Sequence, residues 1–132
     1  MTTDTLFTLI PQIQAAAEAQ AADLLATEIA IELLDGDTCT GAVYWRNANS
    51  ANPKMVIIHR KGQGCPVHGQ AASPEERIRS YVGSQAAKQA TAARPISNEK
   101  RRQQLDACAR RISRNLWTVA GYLDQALKLL QR

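Results

Sequence analysis

The chain has 132 residues, a formal net charge of +4 and 5% aromatic residues, which fits a single globular domain over residues 1–132. Its three cysteines are odd in number and widely spaced, which argues against a disulfide framework and indicates a reducing, cytoplasmic setting. The sequence has neither the pattern of a secretory signal nor an apolar run near the roughly 18 residues that suggest a membrane span.

Charge is distributed unevenly along the chain. Residues 1–45 carry seven acidic residues and no Lys or Arg, so all 16 basic residues lie in residues 46–132, beside five acidic ones. Such asymmetry is typical of proteins that bind a polyanion. The alternative is that the acidic part folds against the basic part and the two fields largely cancel.

The N-terminal segment has helical periodicity, which predicts a helix over residues 4–26. Residues 27–34 can be interpreted in two ways. Leu33 and Leu34 would extend the helix, whereas Ile29, Ile31 and Leu33 alternate with other residues as in a half-buried strand. Asp35-Gly36 follows as a hairpin-turn signal, and we therefore expect a strand here.

Residues 39–47 and 54–60 are rich in β-branched and aromatic residues, which predicts two further strands. Together with 28–34 they form an expected three-stranded antiparallel meander over residues 28–60. Trp45 alternates with Val43 and is expected in the core. Residues 61–72 then read as a loop that carries Cys and His.

Two C-terminal helices are predicted. Ser73-Pro74-Glu75-Glu76 has the form of a helix start, so the first helix is expected over 73–92, ending before Arg94-Pro95. The second, over 97–131, carries an apolar seam at steps of three and four residues, from Leu105 to Leu130. The expected fold is α+β, with an N-terminal helix, a small meander and two C-terminal helices, the last one long.

A metal site is predicted from cysteine and histidine. Cys65-Pro66-Val67-His68-Gly69 resembles a zinc knuckle, Cys-Pro-x-Cys-Gly, with His in place of the second Cys, and thiolate and imidazole suit Zn²⁺. The expected hairpin brings Cys39 and His59 to the same end. The predicted zinc ligands are Cys39, His59, Cys65 and His68. The alternative is that Cys39 is a small buried apolar residue and His59 a polar residue at a strand end.

Residues 37–70 are similar to SWIM-type zinc modules, which also combine a β-hairpin with late Cys and His ligands. That family begins with Cys-x-Cys, whereas Cys39-Thr40-Gly41 lacks the second cysteine. No family is identified on this basis.

A basic surface is the second candidate site. Arginine dominates it and can hold phosphate bidentately. The predicted nucleic-acid-binding residues are Arg60, Lys61, Arg101, Arg102, Arg110, Arg111 and Arg114. Base stacking would require exposure of Tyr44, Trp45 or Trp117. These features predict a small DNA- or RNA-binding regulatory protein.

Two alternatives stay open. The first is a protein–protein adaptor or homodimer that pairs through the C-terminal seam and binds no nucleic acid. The second is a thiol enzyme in which Cys65 pairs with His59 or His68. The sequence has nothing that orients the histidine, so we expect no enzyme activity.

Overall fold

The structure, a computed structural model, describes residues 2–131, which form two helices and one three-stranded antiparallel sheet. The elements are α1 (Thr3–Glu32), β1 (Ala42–Arg46), β2 (Lys54–Ile58), β3 (Arg79–Gly83) and α2 (Ala86–Leu130). The predicted α+β class is confirmed, but the described chain has two helices where three were predicted.

The chain divides into two compact units. The helical unit comprises the residues up to Leu33 and those from Gln104 onward, and the sheet unit comprises Leu34–Gln103. Helix α2 supplies its first part to the sheet unit and its last part to the helical unit. The expectation of a single domain stays a prediction.

In the helical unit, α1 begins after Thr2, whose side chain caps the backbone N–H of Thr5. The strand expected at 28–34 is wrong, because α1 continues to Glu32 and ends at Leu33. Ile29 is 49% exposed and Leu33 80% exposed, so the alternation marks no buried face. Each residue added to an existing helix contributes one more backbone hydrogen bond. In residues 28–34 this gain outweighs the preference for a strand that the short alternating pattern indicates.

The seam predicted in the last helix packs in the helical unit. Leu6, Ile10 and Ala126 are buried together, and Leu123 and Leu130 pack against them. The other seam positions on α2 are at least partly buried. The four-three spacing therefore identifies the face of α2 that packs within its own unit.

The sheet unit has the strand order β1-β2-β3 with both pairs antiparallel. The second and third predicted strands correspond to β1 and β2, each shorter than predicted. The third strand, β3, lies inside residues 73–92, where a helix was predicted. That prediction is therefore wrong over β3. Trp45 is 47% exposed at the sheet edge and is not a core residue.

Residues 73–76 form a turn although they carry a helix-start signal. The Glu76 carboxylate accepts the backbone N–H of Ala72, as in a capping box, but no helix follows. Instead His59 N–H donates to the Ile78 carbonyl at 3.0 Å, and Gly62 N–H donates to the Glu76 carbonyl at 2.7 Å. This segment thus pairs with the residues that follow β2, and β3 continues the pairing along β2, whose second edge would otherwise be open.

Helix α2 begins at Ala86, inside the segment predicted as the first C-terminal helix over 73–92, and passes through Pro95 without ending. A proline in a helix leaves one backbone carbonyl without its usual donor. Pro95 is fully buried, and nearby carbonyls bond to the rest of the sheet unit. Helix α2 therefore continues through a residue that locally predicts a helix end.

The core of the sheet unit contains Met55, Ile57 and Ile96, together with two cysteines, Cys39 and Cys65. Ile57 on the central strand is completely buried. Within residues 2–131, neither helix has the length and apolarity required to cross a membrane.

Candidate metal centre

Four side chains from separate parts of the sheet unit meet in its core. Cys39, His59, Cys65 and His68 place one potential ligand atom each within 4.8 Å of one another. These are the four residues that the sequence predicts as ligands. The three most enclosed, Cys39, His59 and Cys65, are 1–3% exposed. The cluster is therefore part of the interior and could hold a metal ion.

The Cys65–His68 pair is held by a tight turn. Cys65 and Gly69 exchange two backbone hydrogen bonds of 2.9 and 3.0 Å, and Gly69 has φ +110°. The turn places His68 Nδ1 3.1 Å from Cys65 Sγ, and the His68 N–H donates to the same sulfur at 3.2 Å. A Cβ at Gly64 would overlap the Gly69 carbonyl oxygen, so this position requires glycine.

The second pair joins the segment before β1 to the end of β2. His59 Nε2 lies 3.0 Å from Cys39 Sγ, and the Gly41 N–H donates to that sulfur at 3.2 Å. A Cβ at Gly41 would stand 3.2 Å from both ligand atoms. The sulfur of each of these two cysteines thus accepts one backbone N–H.

Helix α2 orients both halves of the cluster. His68 Nε2 lies 3.0 Å from the Ala92 carbonyl, which can only accept, so Nε2 carries the proton and Nδ1 presents its lone pair to the cluster. The Cys39 N–H donates to the Pro95 carbonyl at 2.9 Å. The bond between His68 and the Ala92 carbonyl is of the kind that fixes the ring orientation of metal-ligating histidines.

A polar clamp holds the Cys39 segment on α2. Arg94 donates to both carboxylate oxygens of Asp37 at 3.1 and 3.2 Å, and Asn98 donates to the Asp37 carbonyl at 2.9 Å. Sequence reasoning missed these residues. The partners are about sixty positions apart, and the local sequence has no signal that would pair them.

Burial shifts the acidity of two cluster members. Desolvation raises the pKa of the Cys39 thiol to about 11. Desolvation, assisted by the neighbouring His68 ring, lowers the pKa of His59, so its imidazole is neutral near pH 7. Among residues 2–131, His59 Nδ1 is one of two buried side-chain polar atoms without a hydrogen-bond partner. Such an atom costs about 1–3 kcal/mol unless the ring gains a compensating interaction elsewhere.

The donor set fits a tetrahedral cation. Two thiols and two imidazoles form a Cys₂His₂ set, and ideal zinc bonds would separate sulfur from nitrogen by about 3.5 Å. The observed separations within the pairs are 3.0 and 3.1 Å, and all four atoms lie within 4.8 Å. Small side-chain adjustments would therefore suffice to surround one ion.

A groove of about 440 Å³ borders the Cys39 side of the cluster. Arg60 and Lys100 line it, together with Glu99. Glu99 is buried and pairs with Arg102 at 2.6 Å, and this bond lowers the pKa of its carboxyl group. The groove therefore brings solvent and charged groups next to one wall of the cluster.

The predicted basic residues are divided between the units. Arg60, Lys61 and Arg101 are exposed in the sheet unit, while Arg102 is engaged with Glu99. In the helical unit Arg110 pairs with Asp106 at 2.8 Å, and the other two predicted arginines, Arg111 and Arg114, are exposed. Trp117, 83% exposed, lies one helical turn beyond Arg114.

Comparison of the chain with protein-family models, with curated proteins and with solved structures gives no significant match.

Proposed function

We propose that this protein is a small nucleic-acid-binding regulatory protein whose sheet unit is built around one structural zinc ion. The observation that carries the zinc assignment is the convergence of Cys39, His59, Cys65 and His68 within 4.8 Å in the core. Four protein ligands fill a tetrahedral shell and leave no position for a substrate, as in structural zinc sites. Bound zinc would deprotonate the Cys39 thiol, whose pKa is otherwise high.

Burial supports a ligand role over a nucleophile role for the cysteines. A reactive cysteine is partly exposed and has a depressed pKa, whereas Cys39 and Cys65 are buried and the pKa of Cys39 is raised. We therefore propose no thiol chemistry for this site.

Elemental analysis of protein purified without a histidine tag tests the zinc proposal. We expect one zinc per chain, lost in Cys65→Ser and retained in Cys108→Ser. Cys108 is the third free cysteine and lies in the helical unit, so it is a matched control. Wild-type protein without metal, or zinc that survives Cys65→Ser, would contradict the assignment.

The nucleic-acid proposal is supported by exposed basic residues at two places. Arg60 and Lys61 follow β2 directly after the ligand His59, and Arg111 and Arg114 stand on the solvent side of α2. Cations arranged in this way can bind backbone phosphates without reading sequence.

Fluorescence anisotropy with labelled oligonucleotides at different salt concentrations tests this proposal. If about four phosphates are neutralised, affinity falls about 100-fold between 50 and 200 mM salt. We expect Arg111→Gln/Arg114→Gln to flatten this dependence and Lys128→Gln, whose charge pairs with Asp124, to leave it unchanged. Absence of binding at low salt, or binding insensitive to salt, would refute the proposal.

A homodimer or adaptor is the second candidate, favoured by exposed apolar side chains in the helical unit. Those on α1 include Leu25 and Ile29, and those on α2 include Trp117 and Tyr122. Leu25 and Ile29 lie one turn apart on α1, and contiguous exposed apolar side chains are typical of surfaces that bind another chain. Light scattering, read together with the oligonucleotide titrations, separates the two candidates. A stable dimer that does not bind oligonucleotides favours the adaptor, and a monomer that binds them opposes it.

A further inference from the structure

The sheet has two faces of different chemistry. Val43, Met55 and Ile57 point into the core, so the side chains that alternate with them occupy the opposite, outer face. The register pairs Tyr44 with Val56 and Val56 with Tyr81, which places these three residues in one row across the outer face. Because the segment that contains β3 was predicted to be helical, the sequence alone could not place Tyr81 in this row.

Two aromatic rings stand free on this face. Tyr44 is 54% exposed and Tyr81 is 67% exposed, and they flank Val56, which is buried. Neighbouring strands lie about 4.8 Å apart, so the backbones that carry the two tyrosines are separated by about 10 Å. Both tyrosine rings are therefore accessible to a ligand that could stack on them.

The same face is cationic. Arg46 and Lys54 are direct cross-strand partners, and Arg79 is opposite Ile58 in the next pair. Within residues 2–131 none of these three cations forms an ion pair, and the three strands contain no acidic residue. Like charges directly opposite each other destabilise a sheet. An anion bound between Arg46 and Lys54 would remove this repulsion.

We propose that the outer face of the sheet, formed by Tyr44, Tyr81, Arg46, Lys54 and Arg79, binds single-stranded nucleic acid. The tyrosine rings stack on unpaired bases and the three cations contact the phosphates between them. Bases of a duplex are already stacked and cannot lie flat on a sheet, so this surface selects single strands. This inference rests on the nucleic-acid function proposed above and assigns it a surface and a strand preference.

The test compares variants of the full chain, supplied with one equivalent of Zn²⁺, by fluorescence anisotropy with a labelled oligothymidylate and a duplex of equal length. We expect the wild type to prefer the single strand. Each tyrosine-to-alanine change should weaken single-strand binding about five-fold or more, and Tyr44→Ala/Tyr81→Ala should remove the preference. Phe7→Ala is the matched control, because this aromatic ring is 64% exposed in the helical unit.

Arg46→Gln/Lys54→Gln tests the surface independently of the tyrosines. It should reduce the dependence of log affinity on log salt by about 0.7 for each phosphate that the variant no longer neutralises. Because it also removes like-charge repulsion, it should not lower the melting temperature, so weaker binding cannot be assigned to unfolding.

The outcomes separate this inference from the broader function. Binding that depends on Arg111 and Arg114 but is unchanged in both outer-face double variants overturns the inference and leaves nucleic-acid binding in place. Absence of binding to either probe at low salt overturns both. A change in self-association but not in oligonucleotide affinity would assign the face to a protein partner and also overturn the inference.

Discussion

In the sheet unit the most enclosed side chains include Cys39, His59 and Cys65, whereas the buried residues of the helical unit, Leu6, Ile10 and Ala126, are all aliphatic. Hydrocarbon packs favourably without any added component. Buried thiols and imidazoles instead carry lone pairs that a cation can bind, and the four ligand atoms of the sheet unit lie within 4.8 Å of one another. Two units of similar length in one small chain therefore have cores of different chemistry, one suited to a bound cation and one independent of it.

Metal removal should produce the largest effect, and only in the sheet unit. Structural zinc contributes on the order of 10 kcal/mol to the folding of small zinc domains, so we expect EDTA to unfold residues 34–103. Hydrogen exchange resolved by peptide should then rise in β1–β3 while the α2 seam stays protected. Re-addition of Zn²⁺ should restore protection. Equal exchange in both units, with and without EDTA, would contradict this difference between the cores.

A core truncation in the helical unit should show the reverse selectivity. Ile10→Ala removes a buried side chain from the cluster with Leu6 and Ala126 and should lower the free energy of unfolding by about 2–5 kcal/mol. Zinc affinity, measured by competition with a chromogenic chelator, should not change. A matching loss of zinc affinity would show that the two cores are energetically coupled.

Gly64→Ala should have a smaller effect, in the sheet unit. The added Cβ overlaps the Gly69 carbonyl oxygen and forces the Cys65–His68 turn to shift, at a cost of about 1–3 kcal/mol. We expect weaker zinc binding together with a lower melting temperature. Unchanged zinc affinity would mean that the turn does not control the placement of Cys65 and His68.

Gly121→Ala is the matched change in the helical unit and should have the smallest effect, with the opposite sign. Nothing lies within 4 Å of a Cβ at Gly121, which is inside α2, so alanine should stabilise the helix by about 0.8–1 kcal/mol. Thermal unfolding followed by circular dichroism at 222 nm measures this. A destabilised variant would indicate that the Gly121 surface packs on a second chain.

Local sequence signals were sufficient where one element could satisfy them alone. The α2 seam and the core of α1 follow from periodicity, because each pattern identifies its own buried face, and the strands at 42–46 and 54–58 follow from their β-branched and aromatic residues. The four proposed ligands could also be named from sequence, because Cys and His are few in this chain and the Cys65–Gly69 turn has a recognisable form.

Tertiary structure decided the course of β3 and of α2 at Pro95, because both regions have long-range partners that local preferences do not reflect. Residues 79–83 became a strand because β2 needed hydrogen bonds along its second edge, although Ser73–Glu76 signals a helix. Pro95 remained inside α2, where it is fully buried and the carbonyls of Ala92 and Pro95 bond to His68 and Cys39. The sequence by itself determined which side chains could bind a metal, and only the packing of strands against α2 determined that all four meet.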